Sequence, residues 1–285
     1  MIEQACQYGE QDRLCGVLTL PDSQAAPRQV FVLVSAGFTS NIGPFRLYTN
    51  LARDLAKQGV ATFRFDLGGI GDSEQIDLGL PVSARTMLDI RTTLDYLSGR
   101  FEDAEFVLGG LCSGAEDSFR YADQDDRVAG LFLIDPHAYR TAGWKIRNQF
   151  GRYLFIRIAI RAVRILRKIR SLVARQDAPV ESGYKPGLVD YQYMGRDESS
   201  DILKRLIKRQ VRLHYLYTGG RIEYFNHRGQ FYDMFPDVTF DGSEAVTYLP
   251  HIEHVQVFEQ DRELVLDAAR RWFKDSANRQ TQSAA

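Results

Sequence analysis

Continuous apolar runs alternate with amphipathic segments along most of this chain. Two short β-patterned stretches open it, Gln4–Tyr8 and Leu14–Leu20. Gln29–Val34 (QVFVLV) is apolar without interruption and rich in β-branched residues, as a strand buried on both faces requires. Val60–Phe65, Glu105–Leu108, Val128–Ile134, Val211–Tyr217 and Ala245–Leu249 read the same way. Between them the period changes to that of a helix. Arg46–Gln58 places Leu47, Leu51, Leu55 and Ala56 on one face, and Gly59 ends it. Ala84–Leu97 carries a stripe of Met87, Ile90, Leu94 and Leu97; further helices are predicted over Gly114–Ala122, Gly229–Phe235 and Arg262–Phe273. Strands alternating with helices specify a mostly parallel sheet flanked by helices.

The alternation breaks once. Some 70 residues, 139–210, separate the sixth predicted strand from the seventh, and they form a predicted helical cap or lid insertion. The core is then 1–138 and 211–275, with a disordered polar tail over 276–285. A cap at that point lies over the C-terminal ends of the strands, where open α/β sheets bind ligands. From Trp144 to Arg175 the insertion has ten Lys/Arg and no Asp/Glu. Arg157, Arg161, Arg164 and Lys168 share one helical face, and Ile158, Ile165, Ile169 and Leu172 another. Such a basic amphipathic helix suits a cap with its basic face in water, or docking to an anionic partner such as a membrane surface or an acyl carrier protein.

Composition narrows the class. The chain has 285 residues, 44% hydrophobic and 26% charged, with a net charge of −1. That balance belongs to a globular protein and supplies no global field for nucleic acid, and no nucleic-acid motif accompanies the basic helix. Three widely spaced cysteines, Cys6, Cys15 and Cys112, make neither a disulfide framework nor a zinc site, and no metal or other cofactor is expected. With neither a secretion signal nor a long apolar span in the sequence, the expected location is the cytoplasm, where a free thiol persists.

The chemistry concentrates in Gly109-Gly110-Leu111-Cys112-Ser113-Gly114-Ala115, which joins an apolar strand to a helix. A nucleophile held on a sharp strand-to-helix turn needs small residues two before and two after it. Gly110 and Gly114 flank Cys112 in that way; centred on Ser113, the first of these positions would be Leu111. The helix that starts here favours a thiolate, and the Ser113 backbone N–H would meet a developing oxyanion.

Phe65-Asp66-Leu67-Gly68-Gly69-Ile70-Gly71-Asp72-Ser73 resembles the D-x-x-G-x-G-x-S turn of α/β-hydrolases, and Ser35-Ala36-Gly37-Phe38 resembles their oxyanion loop. Gly43-Pro44-Phe45-Arg46-Leu47-Tyr48, then Leu51-Ala52-Arg53 and the Asp66 turn, is similar to the bacterial exosortase-system-associated and S33-like hydrolases. A cysteine at the elbow is similar to dienelactone hydrolases and polyhydroxyalkanoate synthases. The resemblance covers residues 28–137 well and 211–273 more loosely. It implies an α/β-hydrolase fold with the helical cap between strands 6 and 7, and acyl chemistry on a small-molecule ester or thioester through an acyl-Cys112 intermediate. It also implies oxyanion donors at Gly37 or Phe38 beside Ser113. In such folds the histidine follows the last strand. Pro250-His251-Ile252-Glu253-His254 offers two; an acidic residue before the histidine favours His254 over His251. The acid usually follows the preceding strand, where Glu223 is the carboxylate of the loop; Asp135, after the sixth strand, is the alternative. His137, His214 and His227 are left without a catalytic role. An acyltransferase with an alcohol or amine acceptor, and a lapsed binding module docked through the basic helix, are the competing readings.

Overall fold

The computed structural model describes residues 1–23, 26–75, 79–149 and 194–283. The basic amphipathic helix expected around Arg157–Leu172 lies outside the described residues, as does most of the expected cap. Eight strands form one sheet in the order β1-β2-β4-β3-β5-β6-β7-β8. They are β1 (Ile2–Tyr8), β2 (Leu14–Leu20), β3 (Gln29–Val34), β4 (Ala61–Phe65), β5 (Glu105–Leu111), β6 (Val128–Ile134), β7 (Arg212–Thr218) and β8 (Glu244–Leu249). From β4 to β8 every pairing is parallel; β2 runs against both β1 and β4.

Alternation along the central strands explains the layers. Val30, Val32 and Val34 of β3 point into one apolar cluster, and Phe31 and Leu33 into the other. The first cluster takes Ile90, Leu94 and Leu97 from helix α2 (Val82–Arg100) and Phe119 and Ala122 from α3 (Ser113–Ala122). The second takes Leu47, Leu51 and Leu55 from α1 (Leu47–Ala56) and Val265, Ala269 and Phe273 from the C-terminal helix. Both faces of the sheet are therefore covered, which is why β3, β5 and β6 read as unbroken apolar runs.

Two segments depart from the expectation. Within the expected insertion, residues 142–149 are helical and so is α4 (Arg196–Lys208). Ile202, Leu203 and Leu206 of α4 are buried in the same cluster as α2 and α3, so this helix packs on the sheet. After the short α5 (Gln230–Met234), the last helix, α6, runs over Glu259–Ser283. It continues past Phe273, where its apolar stripe ends, because no Gly or Pro interrupts the polar segment that follows.

Candidate active site

The parallel register brings the C-terminal ends of five strands to one edge. Val34 of β3 pairs with Gly110 of β5, Leu111 of β5 with Ile134 of β6, Ile134 with Leu216 of β7, and Thr218 of β7 with Leu249 of β8. The loops leaving these ends carry Ala36–Thr39, Cys112, Asp135, Gly219–Arg221 and Pro250–Gln256.

The turn after β5 is centred on Cys112, at φ 55° and ψ −118°, a conformation that side-chain-bearing residues seldom adopt. Its flanking glycines are required by contact. A Cβ on Gly110 would lie 2.7 Å from the Val34 carbonyl oxygen, and one on Gly114 only 2.3 Å from the same atom. Tyr48 braces the turn from below. Fully buried, its hydroxyl donates to the Val34 carbonyl at 3.0 Å and accepts the Leu111 N–H at 2.7 Å. The Cys112 N–H itself donates to the Ile134 carbonyl at 2.9 Å.

His254 and Asp135 stand in line with Cys112. The His254 Nδ1 is 2.7 Å from the Asp135 Oδ2, and the imidazole is close enough to Cys112 for each group to shift the other's pKa. Asp135 is buried and turns out of β6 at φ 47°. Its Oδ1 accepts the Thr218 N–H at 2.7 Å, and its Oδ2 also accepts the Thr218 hydroxyl at 2.5 Å. Gly219 and Gly220 let the β7 loop lie against the histidine loop. A Cβ on Gly220 would fall 2.3 Å from the His254 backbone nitrogen, and one on Gly219 would fall 2.1 Å from the Pro250 carbonyl oxygen. Buried Gln256 donates from Nε2 to the His254 carbonyl at 2.5 Å.

The electrostatics form a coupled pair. Burial raises the Cys112 pKa, but the His254 hydrogen bond and charge, the Arg221 charge and the Ser113 N–H outweigh it and leave the thiol below its ordinary value. Burial opposes charge on His254 too, yet Asp135 and Cys112 together lift its pKa to about 9. These couplings favour a thiolate beside an imidazolium over the neutral pair.

Several expected residues stand elsewhere. Glu223 does not meet His254: it is exposed, and its carbonyl accepts the Arg140 Nε at 2.9 Å. The turn Gly219–Arg221 carries the chain away from the histidine before Glu223 is reached. The acid facing the imidazole is Asp135. The Gly37 N–H is occupied by the Ser113 Oγ at 2.9 Å, so it is not aimed at an oxyanion, whereas Phe38 lies exposed at the mouth of the same turn. His251 is exposed. His214 is a core residue whose Nε2 lies 2.9 Å from the Thr247 hydroxyl. Asp66 is a structural brace, since its carboxylate accepts the Asn41 N–H and the Asn41 amide at 2.5 and 2.7 Å. Thr218, Gln256 and Arg221 receive no role from the sequence, and Tyr48 enters it only within the Gly43–Tyr48 resemblance; the Thr218-Gly219-Gly220 run is the visible signal for the β7 loop. Among the described residues no group of three or more His, Cys, Asp or Glu is placed to hold a metal ion, and no helix is long and apolar enough to cross a membrane. A surface cleft of about 550 Å³ lined by Gln58, Val60, Asp267, Arg270 and Lys274 opens near the start of β4, away from Cys112.

A model of the family described as serine aminopeptidase, S33, matches residues 25–182, more than half of the chain. The chain belongs to the serine aminopeptidase S33 family of α/β hydrolases. No curated protein sequence is significantly similar to this hydrolase. Among solved structures it is similar to Est1E from Butyrivibrio proteoclasticus, at 14% identity and a TM-score of 0.58, over 96% of this chain and 99% of that one. It is similar also to the esterase domain of a Rhodothermus marinus protein, at 16% identity and a TM-score of 0.55, over 95% and 96% of the two chains. A third is XC6422 from Xanthomonas campestris, described as an α/β serine hydrolase without lid, at 14% identity and a TM-score of 0.53, over 95% and 94%. At these identities the likeness is one of fold. The family description names a serine, whereas the elbow of this hydrolase carries Cys112.

Proposed function

We propose that this hydrolase cleaves a carboxylic ester or thioester through an acyl-cysteine intermediate, with Cys112 as nucleophile, His254 as base and acid, and Asp135 as the group that orients the imidazole. The observation that carries the reading is the row Cys112–His254–Asp135, with the imidazole bonded to Asp135 and electrostatically coupled to Cys112, set on a strained turn between two glycines that tolerate no side chain. The esterase description of the Rhodothermus marinus neighbour agrees with it.

The Cys112 thiolate attacks the carbonyl carbon; a C–S bond forms and the carbonyl π pair moves to oxygen. The backbone N–H groups of Phe38 and Ser113 receive that oxyanion in this reading, the first because Gly37 is already engaged, the second at the N-terminus of α3. Collapse restores the C=O and breaks the bond to the leaving oxygen or sulfur, which takes the proton from His254 Nε2. Neutral His254 then removes a proton from water, the hydroxyl adds to the thioester, and the second collapse releases the acid and returns the thiolate. Asp135 keeps the Nδ1 proton in place throughout and stabilises the imidazolium. A cysteine suits activated acyl groups, because the thiolate leaves a tetrahedral intermediate more readily than the amine of an amide would.

The test uses p-nitrophenyl esters and acyl thioesters of graded chain length with wild type, Cys112→Ala and Cys112→Ser. Release of free acid, lost in Cys112→Ala, is expected. Undiminished turnover in Cys112→Ala would overturn the reading.

A further inference from the structure

The site contains a cation that the reaction above does not use. Arg221 closes the turn Gly219–Arg221 and follows Gly220, whose backbone lies against that of His254. The side chain is half-buried. Its Nε is shut off from solvent and has no hydrogen-bond partner. Among the described residues no carboxylate forms an ion pair with it. Its guanidinium instead rests near the Tyr224 ring, 5.0 Å from the centroid, and Arg140 approaches the same ring at 5.1 Å. The buried carboxylate whose field it shares, Glu116, is already engaged by the Met194 N–H at 2.6 Å and by Arg120 at 3.6 Å. A partly desolvated guanidinium with no counter-ion is costly, and a bound anion recovers that cost. The planar fork of N–H donors matches a carboxylate.

We propose that Arg221 binds a carboxylate carried by the acyl part of the substrate, so that the natural substrates are half-esters or half-thioesters of short dicarboxylic acids. The proposal rests on Cys112 being the nucleophile. The acid must be short because Arg221 directly follows Gly220, whose backbone lies against that of His254, the neighbour of Cys112. The phosphates of a pantetheine carrier lie many bonds from the thioester carbon and cannot reach a cation at that position while the carbonyl is at Cys112.

Two measurements on the full chain separate this inference from the hydrolase reading. The first needs no turnover: the rates at which iodoacetate and iodoacetamide alkylate Cys112. Both reagents feel the thiol pKa equally, so their ratio isolates attraction for the carboxylate. In Arg221→Met the iodoacetate-to-iodoacetamide ratio is expected to fall about tenfold, the scale of one charge-assisted hydrogen bond, with partial recovery in Arg221→Lys. The second is kcat/KM for p-nitrophenyl hemisuccinate against p-nitrophenyl butyrate, where wild type favours the hemisuccinate and Arg221→Met loses the preference. An unchanged alkylation ratio in Arg221→Met, or equal loss on both esters, overturns the proposal and leaves the hydrolase intact. A collapsed ratio with neither ester cleaved keeps the anion site and overturns the hydrolase reading instead.

Discussion

Asp135→Asn keeps the size of the side chain and removes its charge. In the native site the two carboxylate oxygens accept three hydrogen bonds, two from Thr218 and one from His254. Asparagine has one acceptor oxygen and one amide donor, so one of these partners must be lost or reversed. If the oxygen keeps Thr218, the amide faces Nδ1, and the imidazole proton moves to Nε2, the atom that must accept from Cys112 and from water. The His254 pKa also falls from about 9 towards its unperturbed value. With a value of about 6.5, only about a tenth of the imidazole is protonated at pH 7.5, where nearly all of it is in the native protein. The same exchange beside a serine nucleophile costs about ten-thousandfold in turnover, and a thiol with an intrinsic pKa near 8.5 depends less on its base. The expected fall in kcat/KM here is about a hundredfold, measured with a p-nitrophenyl ester at pH 7.5. The companion variant Glu223→Gln changes an exposed side chain on a residue whose backbone carbonyl is bonded to Arg140, and activity stays within about twofold, as for surface substitutions generally. Activity within threefold of wild type for Asp135→Asn, or an equal loss for Glu223→Gln, would refute the assignment.

Three further expectations follow from the same geometry. The pH profile of kcat/KM is bell-shaped: it rises through a Cys112 pKa below the usual thiol value and falls through about 9 as His254 loses its proton, so a rate still climbing above pH 9 contradicts the ion pair. Tyr48→Phe strips partners from the Leu111 N–H and the Val34 carbonyl, a cost of about 1–3 kcal/mol, read as a lower denaturation midpoint; an unchanged midpoint would mean the phenol does not brace the elbow. His137 and His214 are held neutral by burial, with pKa values of about 3, whereas the unfolded chain protonates both below about 6.5. Stability therefore falls as pH drops from 6.5 towards 3, and unfolding at pH 5 takes up about two protons, measured by calorimetry in buffers of different ionisation enthalpy. His254 adds none at pH 5, being charged in both states.

The sheet was legible because both its faces are buried, and β3, β5 and β6 show that burial as unbroken apolar runs. The elbow was legible because Gly110 and Gly114 answer a steric demand that spacing alone reveals. The acid was not, for a topological reason. β6 and β7 are adjacent and parallel, with Ile134 beside Leu216, so residues just after either strand are within reach of His254. What decides between Asp135 and Glu223 is the φ of 47° at Asp135 and the turn that removes Glu223, and neither is written in residue type. The Gly37 amide was mistaken for a free donor because its partner, the Ser113 hydroxyl, is 76 residues away in sequence. An arginine after a strand looks like a surface charge, and only its surroundings show that no carboxylate among the described residues pairs with Arg221.

The central claim is that Cys112 carries the acyl group. Its most direct test is intact-protein mass spectrometry after millisecond mixing with an activated ester, followed by peptide mapping. The account predicts one added acyl mass on the peptide containing Cys112, formed and lost at rates that match turnover, and none in Cys112→Ala. An adduct on Ser113, or turnover with no covalent species at any time point while Cys112→Ala remains active, would contradict it.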